Sequence, residues 1–367
     1  MILNALPEKN LKKPDGPEYK IFRHGVPTKC IQMNQSKKNV GKPARKKGRG
    51  YGKYFLAALI MITVWVAYYF YFNYIFYYQE KLSLFIYSDE YLKQFISKPG
   101  GLIEYSGNFL TQGYFSSMYG AFILSVILAL TGVVYFMIGK RISSQKPSGI
   151  AVSLLMAGLA ISFLILMQTN INYLMHNNLG FLLTGIYFLV LVSSQTKRTH
   201  IIVLAFFPVF FFLTGAFAWI FLGMAALYSL INKRYVFTAV LIFISGLSLL
   251  LFREVVFFQT WTGLMHYPLP MKEIFTNPST LLFLVLFFIL YPAFIYLFSL
   301  IDTNAKSGRI MCAGSLLLPA ILTLYLLAGN YNKTTAGMFD LEKRFIAGDW
   351  EGVIRLQESN RYRNPVA

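Results

Sequence analysis

Residues 115–138 read FSSMYGAFILSVILALTGVVYFMI, a run with no Lys, Arg, Asp or Glu. A bilayer core of roughly 30 Å needs about 20 apolar residues in a helix. The run has that length and composition, so it is read as a membrane-spanning helix. Residues 54–76, 149–167, 178–192, 235–252, 280–300 and 310–328 are likewise free of charge and bounded by charge, Asn, Pro or Gly. Of 367 residues, 56% are hydrophobic and only 13% charged, against about 25% charged in soluble domains. Mean hydropathy is +0.52. Soluble single-domain enzymes, disordered scaffolds and disulfide frameworks are thereby largely excluded. The expected fold class is an all-α polytopic transmembrane helix bundle.

Residues 201–231 set the topology. One helix over that stretch would reach about 46 Å at 1.5 Å per residue, too long without strong tilt. Two helices breaking near Thr214-Gly215 would each be short. With the hairpin, Lys140, Arg141, Lys146, Lys197, Arg198, Lys233, Arg234, Lys306 and Arg309 share one side, against Lys81, Lys93, Lys98, Arg253 and Lys272. With one helix each side carries seven. The positive-inside rule favours the hairpin. The chain then has about nine membrane segments, with the N-terminus in the cytoplasm and the C-terminus outside. Ten of the fourteen residues from Trp65 to Tyr78 are aromatic, which marks the outer end of the first span, since amphipathic rings favour the headgroup level.

Three regions follow: a basic tail over residues 1–53, a transmembrane domain over 54–328 with outer loops 77–114 and 253–279, and a periplasmic stub over 329–367. The tail holds 14 Lys+Arg and 3 Asp+Glu, with no apolar period, and is expected to be disordered. Lys37, Lys38, Lys42, Arg45, Lys46, Lys47, Arg49 and Lys53 are its expected contacts with anionic lipid. Nucleic acid is not an expected partner, because topology already accounts for the tail. Met33 opens the uniformly basic part, so translation is expected to begin there. Cys30 and Cys312 sit in different environments, and no disulfide is expected.

The first outer loop, residues 77–114, carries Leu82, Phe85 and Ile86, then Leu92, Phe95 and Ile96, at helical spacing. Short amphipathic helices are expected, broken at Pro99-Gly100-Gly101. Asp89 and Glu90 after Ser88 have a plain reading as a capped first turn. Their functional reading is a metal ligand or base, since hard divalent cations take oxygen ligands. Arg253 is a candidate phosphate clamp, or else an interfacial partner of Glu254. His266 is an acid–base candidate by residue type alone. The turn Gln168-Thr169-Asn170-Ile171-Asn172, continuing to His176-Asn177-Asn178, is rich in amides; it either lines an outward polar cavity or satisfies loop backbone. No phosphate loop, CxxC, HExxH or GxSxG motif occurs. No carboxylate falls inside a span, which disfavours a proton-coupled transporter.

Residues 341–356, LEKRFIAGDWEGVIRL, show two amphipathic helical patterns around Ala347-Gly348-Asp349. One such unit cannot bury its own apolar face, so a partner or a continuation is expected, and truncation is the favoured reading.

The segment from Phe72 to Gln112, with SDEYL and KPGGL, resembles an uncharacterised family of bacterial polytopic inner-membrane proteins over residues 51–367. The resemblance implies a tetratricopeptide-like periplasmic region beginning at GDWEGVIRL, and it carries no activity. The layout is also similar to GT-C glycosyltransferases in its many spans and its acidic pair in a first outer loop. Two functions are therefore expected. One is a membrane anchor presenting a repeat domain to a periplasmic protein partner. The other is transfer of a sugar from a lipid-phosphate carrier, with Asp89 or Glu90 catalytic, Arg253 on the phosphate and a divalent cation as cofactor.

Overall fold

The computed structural model describes residues 52–143, 147–193, 196–257, 260–269, 278–300 and 305–359. Lys37, Lys38, Lys42, Arg45, Lys46, Lys47 and Arg49 lie outside the described residues, as does the side chain of Lys53. In chain order the helices are α1 (Gly52–Phe70), α2 (Asn73–Leu82), α3 (Asp89–Ile96), α4 (Gly101–Thr111), α5 (Ser117–Ile142), α6 (Pro147–Gln168), α7 (Met175–Ser193) and α8 (Lys197–Thr214). They continue with α9 (Phe217–Ile231), α10 (Tyr235–Leu251), α11 (Trp261–His266), α12 (Pro278–Ser299), α13 (Ala305–Asn330), α14 (Lys333–Ile346) and α15 (Trp350–Ser359). Among the described residues there is no strand. Among the described residues, six helices are long and apolar enough to cross a membrane: α5, α6, α7, α8, α10 with the π-helical turn Phe252–Phe257, and α12.

The first apolar run does not continue straight to residue 76. Helix α1 ends at Phe70, and the chain bends by 80° into α2. Tyr68 lies fully buried and donates a hydrogen bond to the Ile165 carbonyl of α6, at 2.9 Å. The bend then turns Tyr74, Ile75, Phe76 and Gln79 into the same end of the bundle. Burying three large side chains and one amide outweighs continuation of the helix. Residues 83–87 are not helical, so the Leu82–Phe85–Ile86 pattern is not one amphipathic helix. The other two loop helices, α3 and α4, lie on either side of the Pro99-Gly100 break as expected.

The stretch 201–231 is two helices that fold back on each other. Helix α8 ends at Gly215, whose φ of +59° is a left-handed value that L side chains rarely adopt. The Ala216 N–H then donates to the Tyr267 carbonyl at 2.9 Å. At the opposite end, Arg234 at the start of α10 donates to Nε2 of His200 in the first turn of α8, at 2.7 Å. Helix α9 finishes three residues before Arg234, so its end lies beside the beginning of α8.

Other joints gather at the Gly215 end. Gln79 of α2 donates to the carbonyls of Ile171 and Tyr173, between α6 and α7. The Gly100 N–H donates to the Phe212 carbonyl of α8 at 2.9 Å. Tyr331, after α13, packs edge-on against Tyr71 and Phe72 after α1. Breaks in the helices thus occur where their backbone groups find partners, as a water-free environment demands.

Hydroxyl groups tie the helices laterally. Tyr291 donates to the Tyr135 carbonyl at 2.8 Å, Tyr187 to the Val203 carbonyl at 2.6 Å, and Ser162 bonds with Thr323 at 2.7 Å. Such bonds supply cohesion where lipid removes the hydrophobic drive between helices. The outer faces of α10 and α13 are apolar yet uncovered, with Val236 80% and Tyr325 76% exposed. Apolar exposure on this scale suits acyl chains, not water.

Gly215→Ala is expected to lower the melting temperature of the purified protein in detergent. The strained backbone alone costs about 1–3 kcal/mol, and the added methyl overlaps the Tyr267 carbonyl. Gly246→Ala, which meets nothing within 4 Å, is the control and should not lower it.

Candidate functional site

Residues 83–111 fold as a small unit on the end of the bundle. Ser88 caps α3, accepting a hydrogen bond from the Tyr91 N–H at 3.1 Å. Asp89 and Glu90 occupy the first turn, both exposed. The opposite face of α3 packs on α4 through Phe85, Tyr91, Phe95 and Tyr105, with ring centroids 4.8–6.0 Å apart. Gly101 brings the start of α4 against the Phe95 backbone, where a Cβ would collide.

Arg253, in the π-helical turn after α10, pairs with Glu254 at 3.0 Å and stacks over Trp261 at 4.2 Å. One face and one edge of its guanidinium are therefore engaged locally. His266 is held by a bond between its Nδ1 and the Thr262 carbonyl at 3.0 Å. The cavities beside α1, α5, α6, α13 and α15 include none of Asp89, Glu90 or Arg253 in their linings. Among the described residues, no group of three or more His, Cys, Asp or Glu is placed to hold a metal ion.

The structure instead assembles polar chemistry at the seam where α4 crosses the beginning of α7. Glu104, Gly107 and Thr111 recur at i, i+3 and i+7 and so share one face of α4. Gly107 lies so close to His176 that an added Cβ would fall 2.8 Å from the His176 backbone nitrogen. Thr111 bonds with Ser83 at 2.7 Å. His176 in turn lies within reach of the Pro268 carbonyl, and Lys98 sits over the Tyr267 ring at 5.1 Å. Three separate breaks in the chain, Pro99-Gly100, Thr214-Gly215 and Tyr267-Pro268, thus meet around one histidine and one glutamate.

An amide ladder runs alongside. Asn178 donates to Gln168 at 2.7 Å, and Gln79, Gln168 and Asn178 are all fully buried. Of the two readings of the amide-rich turn, satisfaction of loop backbone is seen within it: Asn170 accepts the Asn172 N–H at 2.9 Å and Asn177 donates to the Leu174 carbonyl at 3.1 Å. Several atoms along the seam lack a hydrogen-bond partner among the described residues: Nδ1 of His176, Oδ1 of Asn177 and Asn178, the Tyr173 hydroxyl and Oε2 of Glu104. Buried polar atoms are nearly always paired, so these are the atoms open to a polar group entering the seam. Burial raises the Glu104 carboxyl above its ordinary value, with the Lys98 charge opposing. Burial likewise pushes the Tyr173 phenol up, keeping it a neutral donor.

Sequence reasoning missed Glu104, Lys98 and Gln79. The available signal was slight: a lone acid three residues before a glycine on an otherwise apolar helical pattern. Their convergence depends on contacts between residues far apart in the chain.

The fold and site define an all-helical protein with several membrane-length apolar helices and a polar seam closed by interhelical loops. The chain belongs to a family of unknown function, DUF6057, whose family model matches residues 50–367. No curated protein and no solved structure matches it.

A carboxyl with a raised folded pKa binds more protons folded than unfolded, so stability falls as pH rises from the ordinary carboxylate range through that pKa. Glu104→Gln should flatten this acid-side slope in melting curves recorded against pH, and Lys98→Ala should steepen it. An unchanged slope in Glu104→Gln would mean that the carboxyl is not buried as described.

Proposed function

We propose that this is a multi-pass protein of the bacterial inner membrane whose bundle anchors a helix pair, α14 and α15, for contact with a partner protein. Nine segments cross or enter the bilayer in this reading: α1, α5 to α10, α12 and α13. The basic side, with Lys140, Arg141, Lys197 and Arg234, faces the cytoplasm, and the periplasmic side carries the seam and the helix pair. The basic tail contacts anionic lipid on the cytoplasmic face.

The single observation that carries the reading is the way α14 is held. Phe339 lies among the rings of Tyr74, Tyr77 and Tyr78, with centroids 5.4–6.3 Å apart, and Lys81 of α2 forms an ion pair with Glu342. Ion pairs span the turn to α15. Arg344 binds Asp340 at 3.2 Å and Asp349 at 3.1 Å, and Asp349 accepts the Gly352 N–H at 3.0 Å. Phe345, Ile346, Trp350 and Ile354 nevertheless remain more than half exposed. A fixed helical hairpin with an uncovered apolar face suits the packing of a further amphipathic helix, as in tetratricopeptide-like arrays. The occupant in this reading is such a helix of a periplasmic protein.

A photo-crosslinking residue at Trp350 or Ile354, in cells making the full chain, should give the same protein adduct from both positions and none from Lys333. Lipid adducts alone, or no adduct, would contradict the reading. Phe339→Ala should release the helix pair, raising amide exchange in α14 by about tenfold or more, the factor that loss of 1.4 kcal/mol gives; exchange in α5 should not change.

The exposed carboxylates of Asp89 and Glu90 favour a second reading, sugar transfer from a lipid-phosphate donor with Arg253 on the phosphate and a bound divalent cation. Asp89→Ala with Glu90→Ala would then abolish turnover of a lipid-linked sugar, and undiminished turnover removes this reading.

A further inference from the structure

Two cavities adjoin where α1 ends and α5 begins, and their chemistry changes along the helix axis. The deeper one, about 460 Å³, is walled by Met61, Ile62, Trp65, Tyr119 and Phe122. The outer one, about 670 Å³, opens onto Asn73, Ser117 and Lys343, with Tyr69 and Phe70 from the last turn of α1. Ser116 and Met118 line both, so the two form a continuous groove. Each volume lies in the range of about 300–1,000 Å³ typical of small-ligand sites. From Met61 to Phe70 the groove follows α1 for about 13 Å. Trp65 and Tyr69 stack along it with ring planes 2° apart, giving a flat aromatic wall.

The order of polarity matches one kind of molecule. The apolar half lies against a helix that enters the hydrocarbon, and the polar half lies where that helix ends. Rings such as Trp65 and Tyr69 favour the boundary between these zones. The cation at the polar end is uncompensated. Glu342 is taken by Lys81, and Asp340 and Asp349 by Arg344. Among the described residues no carboxylate pairs with Lys343, and none lines either cavity. A peptide helix would match the apolar half but leave that charge unanswered.

We infer that this groove binds one glycerophospholipid of net negative headgroup charge, an acyl chain lying against Trp65 and Phe122 and the phosphate beside Lys343. The lipid seats α14 on the bundle from below, through the same side chain that recognises it. None of the residues lining this site belongs to the basic tail.

Trp65 supplies the test. The full-length protein with Trp219, Trp261 and Trp350 changed to Phe is reconstituted into phosphatidylcholine vesicles containing brominated phosphatidylglycerol or brominated phosphatidylcholine. Brominated phosphatidylglycerol should quench Trp65 with about fivefold higher relative affinity, the factor that about 1 kcal/mol for one lysine near anionic lipid gives. Lys343→Gln should bring the two lipids to equality. Equal quenching in the unaltered groove would mean unselective boundary lipid and would overturn the proposal. Absence of quenching by both lipids would show the groove covered by protein and also overturn it. Preference that persists in Lys343→Gln would remove Lys343 as the recognising group. Phosphatidylglycerol retained per protein from mixed micelles, counted by mass spectrometry with all four tryptophans in place, gives the same comparison should the tryptophan changes disturb folding.

Discussion

A backbone peptide group inside lipid has no water to bond, and each one left unpaired costs several kcal/mol. The whole architecture is a response to that constraint. Long helices fill the apolar depth, and several changes of direction occur where another segment supplies a partner. Gly100 gives its N–H to α8, Ala216 gives its own to the Tyr267 carbonyl, and Gln79 caps two carbonyls between α6 and α7. The seam around Glu104 and His176 exists because these repairs are made in one place. Loops that must satisfy one another's backbones bring their side chains together as a consequence.

The same logic divides what could be read from the sequence from what could not. Charge-free runs located the long helices, because length and the absence of charge are local properties. Counting Lys and Arg located the fold-back at Gly215, because the loops it assigns to one side carry their charges in plain view. The 80° bend after Phe70 was not legible. The run from Trp65 to Tyr78 contains no Pro or Gly, and the bend follows from the burial of Tyr74, Ile75 and Phe76 against helices from other parts of the chain. The non-helical segment 83–87 is not legible for a related reason: its apolar residues fall at helical spacing, yet Phe85 packs across to α4.

The candidate site shows the same limit in its chemistry. Asp89, Glu90 and Arg253 stand out by residue type, and the structure gives each a local setting: a capped helix start for the acids, Glu254 and Trp261 for the arginine. Glu104 is inconspicuous in sequence and becomes notable only when α4 lies across α7. His176, Asn177 and Asn178 were visible as an amide-rich turn, but their burial depends on Gly107 admitting α7 at close range. At the same end of the bundle, α14 links two features: Phe339 fixes it to α2, and Lys343 faces the groove beside α1.

The central claim is that the helices alternate through a bilayer with α8 and α9 as a hairpin, and side-specific labelling tests it most directly. In a background with Cys30 and Cys312 changed to Ser, single cysteines replace the exposed residues Thr196, Asn232, Thr262 and Tyr87, and sealed vesicles are treated with an impermeant thiol reagent. Thr196→Cys and Asn232→Cys should react from one side, and Thr262→Cys and Tyr87→Cys from the other. Labelling of Thr196→Cys and Asn232→Cys from opposite sides would contradict the account.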